Sequence, residues 1–197
     1  MFQEKKQIIV GLTGGIGAGK TFVGEIWSRL GFPVFNADIE AKQCMHEDIL
    51  LQKRIQDIFG NMIYNNGSLD SKMLAEIVFK DDQKLNQLNK LVHPLVSKRF
   101  REWSKKQHSN IILKETAILF ESNSHIECDK VICVVADRDL RVSRVMKRDG
   151  LTAFEVNSRM KVQISQKEKA KRSDFVIVND DGELLLPQII NISSLLA

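Results

Sequence analysis

The residues with the clearest chemical potential form a glycine-rich stretch near the start of the chain. Residues 14–21 read GGIGAGKT and match the pattern G-x-x-x-x-G-K-[ST] in full. Glycines allow a turn tight enough for successive backbone N–H groups to point at phosphate oxygens, and a following helix adds the positive end of its dipole. A chance glycine-rich turn is the alternative, but it does not explain Lys20 and Thr21 at the two required positions.

Individual positions of this loop predict individual contacts with a nucleoside triphosphate. Lys20 would bring a positive charge to the β and γ phosphates, and the Thr21 hydroxyl would coordinate Mg²⁺. We therefore expect this loop to bind a nucleoside triphosphate together with Mg²⁺. The predicted nucleotide-binding residues of this region are Gly14, Gly15, Gly17, Ala18, Gly19, Lys20, Thr21 and Phe22.

A carboxylate follows the second predicted strand. Residues 33–35 form a short apolar run that ends shortly before Asp38. A strand–helix–strand unit brings the carboxyl ends of two parallel strands to one edge of a sheet, so Asp38 should lie near the loop. It could accept the proton of a substrate hydroxyl that attacks the γ-phosphate, or help to hold Mg²⁺. Alternatively, it could only cap a helix that starts near Ile39.

Further charged residues follow the third and fourth predicted strands. Glu115 ends the third, where an acid can orient Mg²⁺ or its water, although it could also be a solvated charge. Arg144 and Arg148 lie four residues apart after the fourth strand and share one face of a helix. They could clamp the transferred phosphoryl group, or belong to a solvated basic helix.

Apolar runs that alternate with helical patterns indicate an α/β fold with an open, five-stranded parallel sheet flanked by helices. The runs occupy residues 8–10, 33–35, 111–113, 131–135 and 174–179. We expect one domain over residues 1–197, whose core comprises about 1–40, 108–137 and 170–197.

Two segments interrupt this predicted core. Residues 41–107 read as an acceptor-binding insertion of three or four helices, in which Asn65-Asn66-Gly67 could close a hairpin and Pro94 should end or kink a helix. Residues 138–169 read as a helical lid, with a capping box at Thr152 that begins a helix reaching about Lys169.

Composition narrows the functional class. The chain is 43% hydrophobic and 27% charged, as in ordinary globular proteins, and its net charge of +4 favours an anionic small molecule over a long nucleic acid. Three cysteines without C-x-x-C spacing predict neither a disulfide framework nor a zinc site. No run is long enough to span a bilayer and no signal-peptide core follows the first residues, so we expect a cytoplasmic protein with no membrane or nucleic-acid partner.

The motifs together resemble the dephospho-coenzyme A kinase family, small P-loop kinases that phosphorylate the ribose 3'-hydroxyl of dephospho-CoA. The resemblance covers nearly the whole chain. It rests on Gly11-Leu12-Thr13 with the glycine loop, Ala37-Asp38, Phe59-Gly60, residues 67–70, Val92-His93-Pro94, Leu119-Phe120-Glu121, residues 144–148, Arg159 with Gln163, and Asn179.

The resemblance implies a P-loop kinase fold and a direct in-line transfer from ATP, in which Asp38 is the general base and Lys20 and Arg144 are the other catalytic residues. It further implies that Arg144, Arg148 and Asn179 contact the nucleotide. Dephospho-CoA would lie against Asp38, His93, Glu115 and Arg159. Three positions depart from the family pattern, because Phe22, Asn36 and Ser71 stand where a hydroxyl residue, an aspartate and an arginine are usual.

Two other functions fit the glycine loop. A kinase of a nucleoside or nucleotide would use the same loop, although the large helical insertion and His93-Pro94 argue against it. A non-catalytic nucleotide switch would be expected to carry an N-K-x-D sequence, and none follows the fourth or fifth predicted strand. The oligomeric state stays open.

Overall fold

The structure is a computed structural model that describes residues 7–65, 67–78 and 80–196. The described residues divide into two compact units, one within residues 1–36 and 106–197 and the other within residues 37–105. The elements in chain order are β1 (Ile8–Gly14), α1 (Lys20–Arg29), β2 (Val34–Asn36), α2 (Ala37–Glu47), α3 (Ile49–Phe59), β3 (Tyr64–Asn65), β4 (Ser68–Leu69), α4 (Ser71–Val78), α5 (Asp82–Ser104), β5 (Ile111–Glu115), β6 (Lys130–Val135), α6 (Arg138–Asp149), α7 (Ala153–Lys161), α8 (Gln166–Lys171), β7 (Phe175–Val178) and α9 (Leu185–Leu196).

The first unit is built on a five-stranded sheet in the order β2-β5-β1-β6-β7, and every neighbouring pair is parallel. The predicted five-stranded parallel sheet is therefore confirmed. β1 is the central strand, with Val10 opposite Leu113 of β5 and Lys130 of β6. Because β1 is hydrogen-bonded on both sides, the glycine loop at its carboxyl end starts from a rigid support.

Helices cover the sheet through two apolar clusters. α1 and α9 pack on the sheet around Trp27, which is fully buried. A smaller cluster of Leu119, Phe120 and Val131 packs with Ile164. Alternate side chains of a strand point to opposite faces, and the sequence of β6 therefore supplies both clusters.

The segment predicted as a lid contains three helices, α6, α7 and α8. α6 ends at Asp149 and is capped by Gly150, whose φ of 67° is left-handed. α7 begins at the predicted capping box, in which the Thr152 hydroxyl accepts from the Glu155 N–H. The helix expected to continue to about Lys169 instead stops at Lys161, and α8 starts at Gln166. Within the intervening residues 162–165, Gln163 is hydrogen-bonded to Ile16 of the glycine loop and Ile164 to the Glu121 side chain.

The second unit is helical, with α5 in contact with α2, α3 and α4. The apolar face of α5 buries Leu88, Val92 and Val96. α5 runs unbroken through Pro94, so the helix does not end there. The expected hairpin is present as the antiparallel pair β3–β4, while Asn66 in its turn lies outside the described residues.

No helix in the described part of the chain combines the length and the apolar character needed to cross a membrane.

Candidate active site

The glycine loop connects the central strand to the first helix of the sheet unit. Gly17 and Gly19 have φ values of 80° and 90°, a left-handed region that glycine adopts without a steric penalty. The Ala18 N–H donates to the Gly15 carbonyl at 3.1 Å and closes the turn. A Cβ at Gly17 would lie 2.4 Å from the carbonyl oxygen of Arg141, so the close approach of α6 requires glycine there.

The loop opens directly onto the N-terminus of α1. Gly19 occupies the N-cap position and has no side chain that could cap the first N–H groups, which suits an anion as their partner. Lys20 is the first residue of α1, and its ammonium group donates to the Gly15 carbonyl at 3.4 Å. Its charge is therefore folded back over the loop, in position to meet a phosphate.

Thr21 is joined to the carboxyl end of β5. Its hydroxyl donates to Oε1 of Glu115 at 2.7 Å, and the Asn36 side-chain amide donates to Oε2 of the same carboxylate at 2.9 Å. Glu115 is only 3% exposed, so the alternative of a solvated charge is wrong. The start of α1 and the ends of β2 and β5 are thus connected through one buried carboxylate.

These groups fit Mg²⁺. In the part of the chain that the structure describes, no cluster of three or more His, Cys, Asp or Glu could hold a metal ion unaided. Mg²⁺, however, usually takes one or two protein oxygen ligands and completes its shell with water and substrate phosphates. Because the Thr21 hydroxyl gives its hydrogen to Glu115, its oxygen lone pairs are left for a cation.

Arg141 lies against the glycine loop and is only 8% exposed. Its Nε donates to the Ile16 carbonyl at 2.9 Å, and a Cβ at Gly15 would collide with its guanidinium group. Burial lowers the pKa of Arg141 from its usual high value. The sequence presents this residue only as one member of a basic segment, because its burial on two glycines depends on how α6 packs.

Asn179 connects the loop to α6. Its side-chain amide donates to the Ala18 carbonyl at 2.8 Å, and its own carbonyl accepts from Nη1 of Arg144 at 3.0 Å. Arg144 also lies 3.7 Å from Asp181. Of the predicted nucleotide-binding residues, Asn179 therefore contacts the loop directly, and Arg144 is joined to it through the Asn179 carbonyl.

The other arginines of the lid segment point elsewhere in this structure. Arg148 pairs with its neighbour Asp149 through two hydrogen bonds of 2.7 and 2.9 Å, and its side chain is 64% exposed. Arg159 approaches the same carboxylate at 4.0 Å. A clamp formed by Arg144 and Arg148 together is not assembled in this conformation and stays a prediction. Phe22 is exposed in the first turn of α1.

Two predicted site residues belong to the helical unit. α2 starts at Ala37, so Asp38 lies within its first turn and the capping role before a helix at Ile39 is wrong. A carboxylate in a first turn is favoured by the helix dipole. His93 is a half-buried residue of α5, one position before Pro94.

Comparisons with known proteins match this architecture. A family model described as dephospho-CoA kinase matches residues 8–184. The chain belongs to the dephospho-CoA kinase family. A dephospho-CoA kinase from Bacteroides fragilis strain YCH46 is 36% identical over 190 residues, which cover 96% of this chain and 93% of the relative.

Solved structures agree with that membership. The dephospho-CoA kinase from Campylobacter jejuni superposes with a TM-score of 0.68 at 26% identity and covers 95% of this chain and 96% of its own. A crystal structure of a Thermus thermophilus protein reaches a TM-score of 0.83 at 30% identity, with 97% of each chain covered. The predicted P-loop kinase fold is confirmed, and the chain is an enzyme of the kinase type.

Proposed function

We propose that this enzyme transfers the γ-phosphoryl group of ATP to the ribose 3'-hydroxyl of dephospho-CoA, yielding CoA and ADP. The observation that carries the proposal is the family match over residues 8–184, which takes in the glycine loop, the helical unit and the lid segment. ATP as co-substrate and a small-molecule acceptor follow from that membership.

The loop supplies the triphosphate site in this proposal. Its N–H groups and the uncapped N-terminus of α1 offer donors to phosphate oxygens. Lys20, Arg141 and Arg144 add three positive charges around the loop and α6. Fixed cations of this kind stabilise the charge that spreads over the transferred group in a loose transition state.

Asp38 is the proposed general base. As the acceptor oxygen forms its bond to the γ-phosphorus and the bond to the β–γ bridging oxygen breaks, the hydroxyl proton passes to the Asp38 carboxylate and ADP leaves. Two features support this role: Asp38 lies two residues along the chain from Asn36, which is bonded to Glu115, and the family resemblance covers Ala37-Asp38. No covalent intermediate on the enzyme is required.

Mg²⁺ is the proposed cofactor, held by Thr21 together with the substrate phosphates. When bound, it would neutralise phosphate charge and favour departure of ADP. Glu115 would keep the Thr21 hydroxyl turned toward the ion, and Asn36 would in turn hold Glu115.

The units have proposed roles as well. Residues 41–107 would bind dephospho-CoA, with His93 at that surface, and residues 138–169 would act as a lid that carries Arg144, Arg148 and Arg159. Closure of such a segment over the reacting groups excludes water, which would otherwise accept the phosphoryl group.

The decisive test is phosphate transfer from ATP to dephospho-CoA by the purified protein, with adenosine and AMP as control acceptors and the product mass measured. We expect one phosphate to be added to dephospho-CoA and much slower transfer to both controls. Preferential transfer to adenosine or AMP would instead identify a nucleoside or nucleotide kinase. ATP binding without transfer to any acceptor would favour a switch.

A further inference from the structure

Ile16, at the tip of the glycine loop, is bonded through both of its backbone polar groups by side chains from the lid segment. Its carbonyl accepts from Nε of Arg141 in α6 at 2.9 Å. Its N–H donates to Oε1 of Gln163 at 3.1 Å. Gln163 lies in the break between α7 and α8, so the two contacts come from opposite ends of the helices α6 and α7.

The break that carries Gln163 is itself held by contacts with the segments that follow β5 and β6. The N–H of Ile164 donates to Glu121 at 2.9 Å, and the Ile164 side chain packs against the cluster of Leu119, Phe120 and Val131. Two residues further on, the amide of Gln166 binds both the N–H and the carbonyl of Ala136, at 3.1 and 2.9 Å. Gln163 is therefore presented to the loop from a fixed support.

We propose that Gln163 is a positioning residue that sets the shape of the glycine loop through the Ile16 N–H before nucleotide binds. A loop whose backbone is already ordered loses less conformational entropy on binding, and therefore binds more tightly. The inference rests on the loop's proposed role in ATP binding. It also gives a role to Gln163, which is one of the residues that carry the family resemblance.

The two hydrogen bonds to Ile16 also link the glycine loop to the lid segment. Arg141 lies near the start of α6 and Gln163 lies beyond the end of α7, so displacement of the start of α6 or of the end of α7 would disturb a hydrogen bond to Ile16. The presence of nucleotide in the loop and the position of the lid segment are thereby coupled through one residue.

The first test uses NMR to measure the hydrogen-exchange rates of individual backbone amides in the protein without nucleotide. In Gln163→Met, which keeps the length but loses the acceptor oxygen, the Ile16 amide should exchange about two- to tenfold faster, the range expected for loss of one neutral hydrogen bond. Thr116, whose N–H donates to Leu12 in the sheet, is the internal reference and should be unchanged. Gln163→Glu retains an acceptor oxygen and should keep Ile16 protected.

The matched control is Gln188→Met. Gln188 also binds a backbone N–H and carbonyl, those of Val178, from the start of α9, and its side-chain hydrogen bonds go to Val178 and Leu184 and not to Ile16. Its replacement should leave Ile16 exchange at the wild-type rate. Acceleration at Ile16 in this control equal to that in Gln163→Met would show a general loss of stability and would overturn the proposal.

The second test measures affinity. Gln163→Met should weaken ADP binding, measured by calorimetry, and raise the KM for ATP about two- to tenfold, while the KM for dephospho-CoA stays within about twofold. Unchanged Ile16 exchange, or faster exchange with unchanged ADP affinity, would overturn the role of Gln163. Absence of phosphate transfer to dephospho-CoA by the unaltered protein would contradict only the proposed function, because amide exchange and ADP affinity are measured without the acceptor.

Discussion

The hydroxyl of Thr21 and the buried carboxylate of Glu115 form a hydrogen bond of 2.7 Å that ties the start of α1 to the end of β5. Partners that orient a metal ligand typically contribute about 10- to 100-fold to metal affinity or activity. We therefore expect Glu115→Gln, which removes the negative charge, to raise the Mg²⁺ concentration for half-maximal activity by about 10- to 100-fold. A Mg²⁺ titration at saturating substrates measures this.

Thr21→Ser is the matched variant, because serine retains the hydroxyl that donates to Glu115. Its Mg²⁺ requirement should stay close to that of the unaltered enzyme. A Glu115→Gln enzyme with a normal Mg²⁺ titration would remove Glu115 from this positioning role.

Replacement of the proposed base should separate chemistry from binding. Asp38→Asn keeps the size of the side chain but cannot take the hydroxyl proton, so turnover should fall by about 10²- to 10⁴-fold. ATP affinity should change by less than about twofold, because the triphosphate is held by the loop. Steady-state kinetics and equilibrium ATP binding are the measurements. Asp57→Asn on the exposed side of α3 is the control, and comparable losses in both variants would contradict a specific role for Asp38.

Substitution by alanine should affect ATP kinetics differently at two glycines that have similar φ values. Gly31 has a φ of 91° and open space where a Cβ would stand, whereas a Cβ at Gly17, φ 80°, would strike Arg141. Gly31→Ala should cost about 1–2 kcal/mol of stability for the left-handed conformation and leave kinetics intact. Gly17→Ala should in addition lower kcat/KM for ATP by about 100-fold, which is the effect expected when reacting groups are misplaced by about 1 Å. Thermal unfolding and ATP kinetics distinguish the two, and equal kinetics would argue against the close packing of α6 on the loop.

The buried pair of Lys169 and Glu121 should matter for stability. Lys169 is fully buried, its ammonium lies 2.7 Å from Oε1 of Glu121, and it also donates to the Ala117 carbonyl. Removing one partner of a buried ion pair strands the other charge, so Lys169→Met should lower the free energy of unfolding by about 3–5 kcal/mol. Urea denaturation measures the change.

The exposed i,i+4 pair of Lys98 and Glu102 in α5 provides the comparison. Lys98→Met should change the free energy of unfolding by less than about 1 kcal/mol, because water screens an exposed pair. The double variant Lys169→Met with Glu121→Leu should recover only part of the loss, since Ile164 would still lack its acceptor. A loss at Lys169 no larger than that at Lys98 would contradict the buried pair.

Thiol reactivity should report the burial of Cys133 in β6 and of Cys128, which precedes that strand. Burial raises the pKa of Cys133 to about 11 and that of Cys128 to about 12, so both remain protonated at about pH 8.5, where a free cysteine is about half ionised. Alkylation of the native protein at these positions should therefore be slow at that pH, should accelerate as the pH rises toward about 11, and should become rapid on unfolding. Peptide mass spectrometry after timed labelling follows each site. Rapid native labelling of Cys133 would contradict its burial.

Local sequence determined much of this protein. The glycine loop, the five apolar runs and the capping box at Thr152 each depend on residues close together in the chain, and the structure contains all of them. The family resemblance likewise rests on short motifs spread along the chain, which is why the residues alone are enough to recognise it.

Tertiary structure decided which charged and polar side chains meet. Arg141 instead of Arg148 lies on the loop, and Gln163 reaches Ile16 across 147 positions of sequence. Glu115 is buried by partners from β2 and α1 instead of being solvated. These pairings depend on how helices pack on the sheet and where α7 breaks from α8, and such long-range geometry leaves no periodic signal in the residues involved.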